Sequence, residues 1–155
     1  MTAMLTCITC GKTENDGHIE IGRNHCTACR VQKQQKRQSA TYESYLSTLY
    51  SNAKSANKQG KRTKEREFSI AVSDLVELWQ RQNGRCAISG AFLTHHKDGS
   101  GAKDFNASID RVSNVKGYTT NNIQLVAYRI NLMKHTLPED MFYWWIKTIH
   151  DFSCD

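Results

Sequence analysis

Between residues 110 and 134 the sequence gathers Asp110, Arg111, Tyr118, Asn122, Asn131 and Lys134, all within the stretch SIDRVSNVKGYTTNNIQLVAYRINLMK. Carboxylate and carboxamide oxygens are the donors a hard divalent cation accepts, and Arg and Lys are the side chains that meet phosphate. A short hairpin and helix need none of these groups as scaffolding. A site that holds a metal ion against a phosphate uses most of them. Plainer readings stand beside this one. Asp110 and Arg111 form a simple salt bridge in it, Tyr118 covers the hairpin, Asn131 bonds locally on its helix, and Lys134 is a solvated phosphate contact.

The cysteines make a second constellation. Cys7-x2-Cys10, fifteen intervening residues and Cys26-x2-Cys29 give the two-knuckle spacing of a structural zinc site. Each pair lets two thiolates converge on one ion, and two pairs close a tetrahedron. A closed four-sulfur site leaves no open position, so the ion is expected to organise the fold rather than catalyse. Redox pairs, or His18 or His25 in place of one cysteine, are the alternatives. A segment of about thirty residues with so little apolar content needs such a staple. Cys86 opens CAIS, which looks like another knuckle whose second cysteine has become Ser89; Cys86 and Cys154 are read as free thiols.

Three segments must position these groups. Residues 1–30 hold the cysteine quartet. Residues 31–80 read as helices, with no Pro and no Gly before Gly60, and Tyr42, Tyr45, Leu46 and Leu49 fall at i, i+3, i+4, i+7 spacing. A polar loop follows, and Ser69 or Ser73 is expected to cap the next helix, whose apolar face is Val72, Leu75, Val76, Leu78 and Trp79. Asn83-Gly84 ends it. From residue 84, RCAISGAFLT reads as a strand pair or knuckle, HHKDGSGAKD as a loop, FNASIDRV as a strand, and NIQLVA as a second strand running into a helix through Lys134. Pro138 then opens a last helix at its first position, with Phe142, Trp145, Ile146 and Ile149 as an apolar stripe for the core or a dimer interface. The expected organisation is α+β: a four-Cys module over 1–30, a basic helical linker over 31–83, a hairpin-and-helix core over 84–135 and an aromatic helix over 136–155.

The chain has 155 residues, 39% of them hydrophobic, which bounds it to one modest domain with a small appendage. No apolar run is long enough for a transmembrane helix, and MTAMLTCITC lacks a basic region followed by an apolar one, so a secretory signal is not expected. A reducing, cytoplasmic setting is the expectation, and there paired cysteines favour metal over disulfide. Net charge is +6, but residues 30–66 carry ten Lys or Arg against two Glu, leaving −2 for the rest. A solvated helix face is the bland account of that block; a polyanion is the better one, with Lys58, Lys61, Arg62 and Lys64 as phosphate contacts.

With its lead-in QNGRCAISG, the 108–134 stretch resembles the HNH or His-Me finger (ββα-metal) endonucleases. There a strand ends in an Asp-His pair, a loop carries a middle Asn, and a second strand leads into a helix bearing an Asn or His and often a Lys. Asp110, Asn122, Asn131 and Lys134 fall at those places, and GYTTNN fits the family's Gly-Tyr-Thr-x-x-Asn loop. The resemblance covers residues 84–134 well, 1–135 loosely, and leaves out the last twenty.

It implies metal-dependent hydrolysis of double-stranded DNA, restriction-like or of the phage or homing type, in a bacterial or phage-infected cytoplasm. Homodimers cut both strands, and the aromatic last helix is the expected contact. Asp110 and Asn131 would hold one Mg²⁺ or another divalent ion. Arg111 stands where the family has its catalytic His and cannot take a proton. That leaves Tyr118 first, then His95 and His96, as the group that activates water; Lys134 adds a DNA contact and Asn122 braces the loop. The competing expectations are a zinc-containing DNA-binding protein with an inactive nuclease fold and a structural protein of a packaging or repair assembly.

Overall fold

The computed structural model describes residues 5–13, 19, 24–58, 66–96 and 103–154. His18, Lys61, Arg62, Lys64 and the loop residues 97–102 lie outside these. Among the described residues the chain is α+β, with five helices and one two-stranded sheet.

Helix α1 (Thr27–Gln38) begins inside the second cysteine pair and buries none of its residues. It persists on good helix formers and on Lys36 and Arg37 near its negative C-terminal end. A break at residues 39–41 separates it from α2 (Tyr42–Lys58), where the Thr41 hydroxyl accepts the Ser44 N–H at 3.3 Å. The i, i+3, i+4 spacing on α2 delivers Tyr45 and Leu46 to the core.

Helix α3 (Val72–Arg81) starts differently from expectation. Neither Ser69 nor Ser73 caps it; the Asp74 carboxylate reaches back to the Ala71 N–H at 2.7 Å. An acid in the first turn also meets the positive end of the helix dipole, which a hydroxyl does not. Asn83 and Gly84 stop the helix with φ of 52° and 64°, the left-handed backbone that glycine and asparagine tolerate.

Strands β1 (Ala107–Arg111) and β2 (Ile123–Ala127) pair antiparallel, with Asp110 opposite Gln124 and Arg111 opposite Ile123. The outer edge of β2 is covered by α3's end: Gln82 donates to the Leu125 carbonyl at 2.8 Å and accepts the Leu125 N–H at 3.0 Å. The CAIS turn adds the Ala87 N–H to the same carbonyl. That turn and the first cysteine knuckle share a hydrogen-bond pattern. The N–H of Gly11 bonds the Cys7 carbonyl and that of Gly90 bonds the Cys86 carbonyl, each at 2.9 Å. Both glycines have φ of 71°. The resemblance of CAIS to a knuckle is therefore one of backbone as well as letters.

Helix α4 (Tyr128–Lys134) continues directly from β2, and α5 (Glu139–Ser153) follows with Pro138 as its N-cap, one residue before the expected place. The core lies between α2, α3 and the sheet, with Leu46, Leu75 and Leu125 fully enclosed. Only Phe142 of α5 is buried, so most of that helix's apolar side chains stay at the surface.

Candidate metal centre and polar cleft

The four N-terminal sulfurs converge. The Sγ atoms of Cys7, Cys10, Cys26 and Cys29 all lie within 4.8 Å of one another, and Cys10 and Cys26 are 3.8 Å apart. Tetrahedral bonds of about 2.3 Å separate two sulfurs by about 3.8 Å, so the quartet could hold a metal such as zinc. The surrounding backbone prepares it. A hydrogen bond from the Cys26 backbone is the main force lowering the Cys7 thiol to about 5, with the Cys10 and Thr9 backbones adding to it. Cys29 is pushed up to about 12, first by side-chain hydrogen bonds to Cys10 and then Cys26, with burial and the neighbouring sulfur's charge adding to it. A divalent cation offsets that charge. His25 does not join the set; its Nδ1 sits 2.9 Å from the Thr9 hydroxyl.

A second feature is a cleft of about 530 Å³ lined by Arg66, Ile109, Asp110, Arg111, Asn114, Tyr118, Asn131, Leu132, His135 and Thr136. Strand β1 delivers Asp110 and Arg111, and α4 delivers Asn131, its fourth residue. The hairpin is thus what brings residues twenty positions apart in sequence to one opening.

Asp110 is nearly enclosed, at 4% exposure, and two donor groups meet it. Lys134 Nζ lies 3.2 Å from Oδ1 and 3.1 Å from Oδ2, and Gln124 Nε2 donates to Oδ2 at 2.9 Å. A carboxylate offers about four lone-pair directions, so roughly one remains for a ligand. Gln124 is itself held by the Glu139 carboxylate at 3.0 Å, which ties α5's start to the site.

Asn131 donates Nδ2 to the Ser108 hydroxyl at 2.7 Å, and its Oδ1 has no hydrogen-bond partner among the described residues. Arg111 spends Nη1 on the carbonyls of Asn114 and Lys116, at 3.1 and 3.0 Å, and its guanidinium carbon lies 5.4 Å from the Tyr118 ring centre. Tyr118 is both a cleft residue and a core residue, 7% exposed and packed on Phe68. Asn122 braces the loop between the strands: it accepts the Ser113 N–H at 2.8 Å and donates to the Ser113 and Gly117 carbonyls.

Three expected residues take other places. Lys134 is not at the surface where a DNA phosphate would meet it; its amine is wholly buried on Asp110 and on the Arg111 carbonyl at 3.3 Å. An unpaired carboxylate at the end of β1 would be costly to bury, and α4 sets the lysine beside it. His95 and His96 do not line the cleft. The Thr94–Asn106 bridge ties them to the start of β1, where His95 Nδ1 meets the Ser39 carbonyl at 3.0 Å and Asn106 binds both the N–H and the carbonyl of His96. Four strand residues, about 13 Å at ~3.3 Å each, separate Asn106 from Asp110.

Two cleft residues were missed in the sequence. His135 follows Lys134 with φ of 47°, and its position one step past the motif was the available signal. Arg66 closes the basic 30–66 block, but nothing local placed it in the cleft, because it arrives from a distant segment.

Comparison with protein-family models, with curated proteins and with solved structures returns no match.

Proposed function

We propose that this chain is a metal-dependent DNA endonuclease built on an HNH-like hairpin and helix, with zinc in the four-cysteine site. The observation that carries the reading is one cleft lined by a nearly enclosed carboxylate, a carboxamide oxygen without a partner, an arginine and a tyrosine. The Asp110 and Asn131 oxygens suit a hard cation such as Mg²⁺, which would polarise the scissile phosphate and stabilise the departing 3′ oxygen. Arg111 offsets charge that grows on the phosphate as the bond breaks. Lys134 holds the Asp110 carboxylate in place. Mapping breaks in a long duplex incubated with the protein and Mg²⁺ tests the assignment.

Tyr118 is the candidate to take a proton from the attacking water, since it lines the cleft with its ring 5.4 Å from the Arg111 guanidinium carbon. Tyr118→Phe keeps the ring in the core and removes only the hydroxyl. A loss of about 10²–10⁴-fold in single-turnover cleavage is expected, with His95→Ala and His96→Ala nearly unchanged. Full activity in Tyr118→Phe would transfer the role to His135 or to solvent.

For the substrate, α1 presents Arg30, Lys33 and Arg37 along a groove of about 840 Å³ against α2. This basic face adds to Lys58 and the block it opens. Lys33→Gln with Arg37→Gln is expected to weaken binding to all duplex sequences alike and to flatten the salt dependence by about two phosphate contacts. Binding that ignores salt would contradict a phosphate-tracking face.

α5 supplies the contact for a second copy of the chain. Met141, Trp144, Trp145, Ile149 and Phe152 recur at i, i+3, i+4, i+8, i+11 and are all exposed. They leave on the order of 700 Å² uncovered, close to the ~800 Å² a standard interface takes from each partner. The protein is expected to sediment as a dimer, and Trp144→Glu with Ile149→Glu as a monomer. Wild-type protein that stays monomeric at micromolar concentration would exclude this contact.

One observation favours the inactive alternative: Asp110 already has a buried cation beside it. That reading keeps the basic face and the zinc module and predicts binding without cleavage.

A further inference from the structure

Residues 66–70 run beside the loop that joins β1 to β2. The Tyr118 N–H donates to the Glu67 carbonyl at 2.8 Å, the Ser69 N–H to the Tyr118 carbonyl at 3.0 Å, and Phe68 and Tyr118 form a parallel bridge. Gly117 makes that approach possible: a Cβ there would stand 2.2 Å from the Glu67 carbonyl oxygen, a backbone atom that cannot swing aside. The same apposition brings Arg66 into the lining of the cleft with Asp110, Arg111 and Tyr118.

Arg66 is unsatisfied there. Its Nη1 is fully buried and has no hydrogen-bond partner among the described residues. Guanidinium stays charged at any working pH, and a buried charged donor without a partner is among the costlier states in a folded protein. Among the described residues the acid in the cleft does not serve it: Lys134 and Gln124 hold the Asp110 carboxylate, and no hydrogen bond joins it to Arg66 Nη1. An anion entering the cleft would meet that need.

We infer that Arg66 and Arg111 form a two-guanidinium clamp for a phosphate group entering this cleft. The two arise on different segments, Arg66 just ahead of α3 and Arg111 at the end of β1. Arg111 has one nitrogen committed to loop carbonyls, while Arg66 Nη1 is uncommitted. Arg66 therefore supplies the stronger unmet demand for an oxyanion, and a phosphodiester answers it with bidentate acceptor geometry. This deepens the nuclease reading and rests on it for the identity of the phosphate as DNA backbone; the demand for an oxyanion stands on the buried nitrogen alone.

The experiment uses the full chain in three arms. In the first, thermal melting without ligand compares wild type with Arg66→Gln. Deleting a guanidinium whose buried nitrogen lacks a partner is expected to leave Tm unchanged or raise it by a few degrees, whereas an arginine with a structural role would lower it. In the second, inorganic phosphate is the probe: it is expected to raise the wild-type Tm and to bind Arg66→Gln at least tenfold more weakly, with Arg66→Lys between. In the third, single-turnover cleavage of a duplex with Mg²⁺ is expected to fall about 10²-fold in Arg66→Gln, with partial recovery in Arg66→Lys. Phosphate binding that is equal in wild type and Arg66→Gln overturns the clamp. Wild type that binds phosphate through Arg66 but cuts no DNA supports the clamp and removes the nuclease reading; binding of inorganic phosphate without any effect of Arg66 on DNA assigns the site to a free phosphate ligand.

Discussion

Asn131→Ala is expected to lower Mg²⁺-dependent cleavage about 10³-fold, the several kcal/mol that a missing ion ligand takes from phosphoryl transfer. Duplex affinity measured without Mg²⁺ should stay within about threefold, since the basic face supplies it. The substitution is clean because Asn131 is only part-buried and its amide reaches nothing beyond Ser108 and a weak contact to Ile109. Asp110→Ala should abolish cleavage too, but with a second effect. It strands Lys134, which is wholly enclosed, and breaking a buried ion pair from one side costs about 3–5 kcal/mol. Adding Lys134→Met to Asp110→Ala is therefore expected to recover most of the stability and none of the activity. Recovery of both would make the pair a structural salt bridge and nothing more.

The other large effect belongs to the sulfur quartet. Protein purified without chelator should carry about one zinc per chain, and Cys26→Ser should lose both the ion and the N-terminal structure. Small zinc modules draw roughly 10–16 kcal/mol of folding free energy from the metal. The loss should remain local. The core cluster begins at Tyr42, and α1 buries nothing, so α2, α3 and the sheet have their own packing. Two transitions are then expected in thermal denaturation of the metal-loaded chain, and only one after chelation. Acid should release the ion, because thiols such as Cys29, pushed up to about 12, regain protons as pH falls. Elemental analysis without zinc, or a four-serine variant with unchanged circular dichroism, would contradict this.

Local pattern carried much of the fold. Tyr45 and Leu46 on α2 and Leu75 and Leu78 on α3 are each decided by neighbours within a turn, and these are the residues found buried; the alternation read over FNASIDRV does not hold, since Phe105 is exposed, Ile109 half-buried and Asp110 enclosed. Spacing also sufficed for the cysteines, because two knuckles constrain four sulfurs with little help from elsewhere. The cleft was legible as far as the hairpin and α4 reach, which is how Asp110, Arg111, Tyr118 and Asn131 come together.

What escaped depends on contacts between distant segments. Thr94 pairs with Asn106 and holds His95 and His96 by the start of β1, outside the cleft lining, an outcome that loop length cannot reveal. Phe68 pairs with Tyr118 and carries Arg66 into the cleft, although its sequence neighbours read only as a basic loop. Lys134 read as a surface phosphate contact because lysine seldom goes under unless paired, and the pairing came from the crossing of α4 over β1. Asp74 displaced two serines as the cap of α3, since a carboxylate in the first turn both bonds the backbone and meets the helix dipole.

The central claim is that Asp110, Asn131 and their neighbours cut DNA with a divalent ion. Supercoiled plasmid incubated with purified protein tests it most directly, run with Mg²⁺, with EDTA, and with Asn131→Ala in place of wild type. Nicked or linear product should form only with wild type and Mg²⁺. Intact plasmid in every lane, or equal cutting by Asn131→Ala, would contradict it.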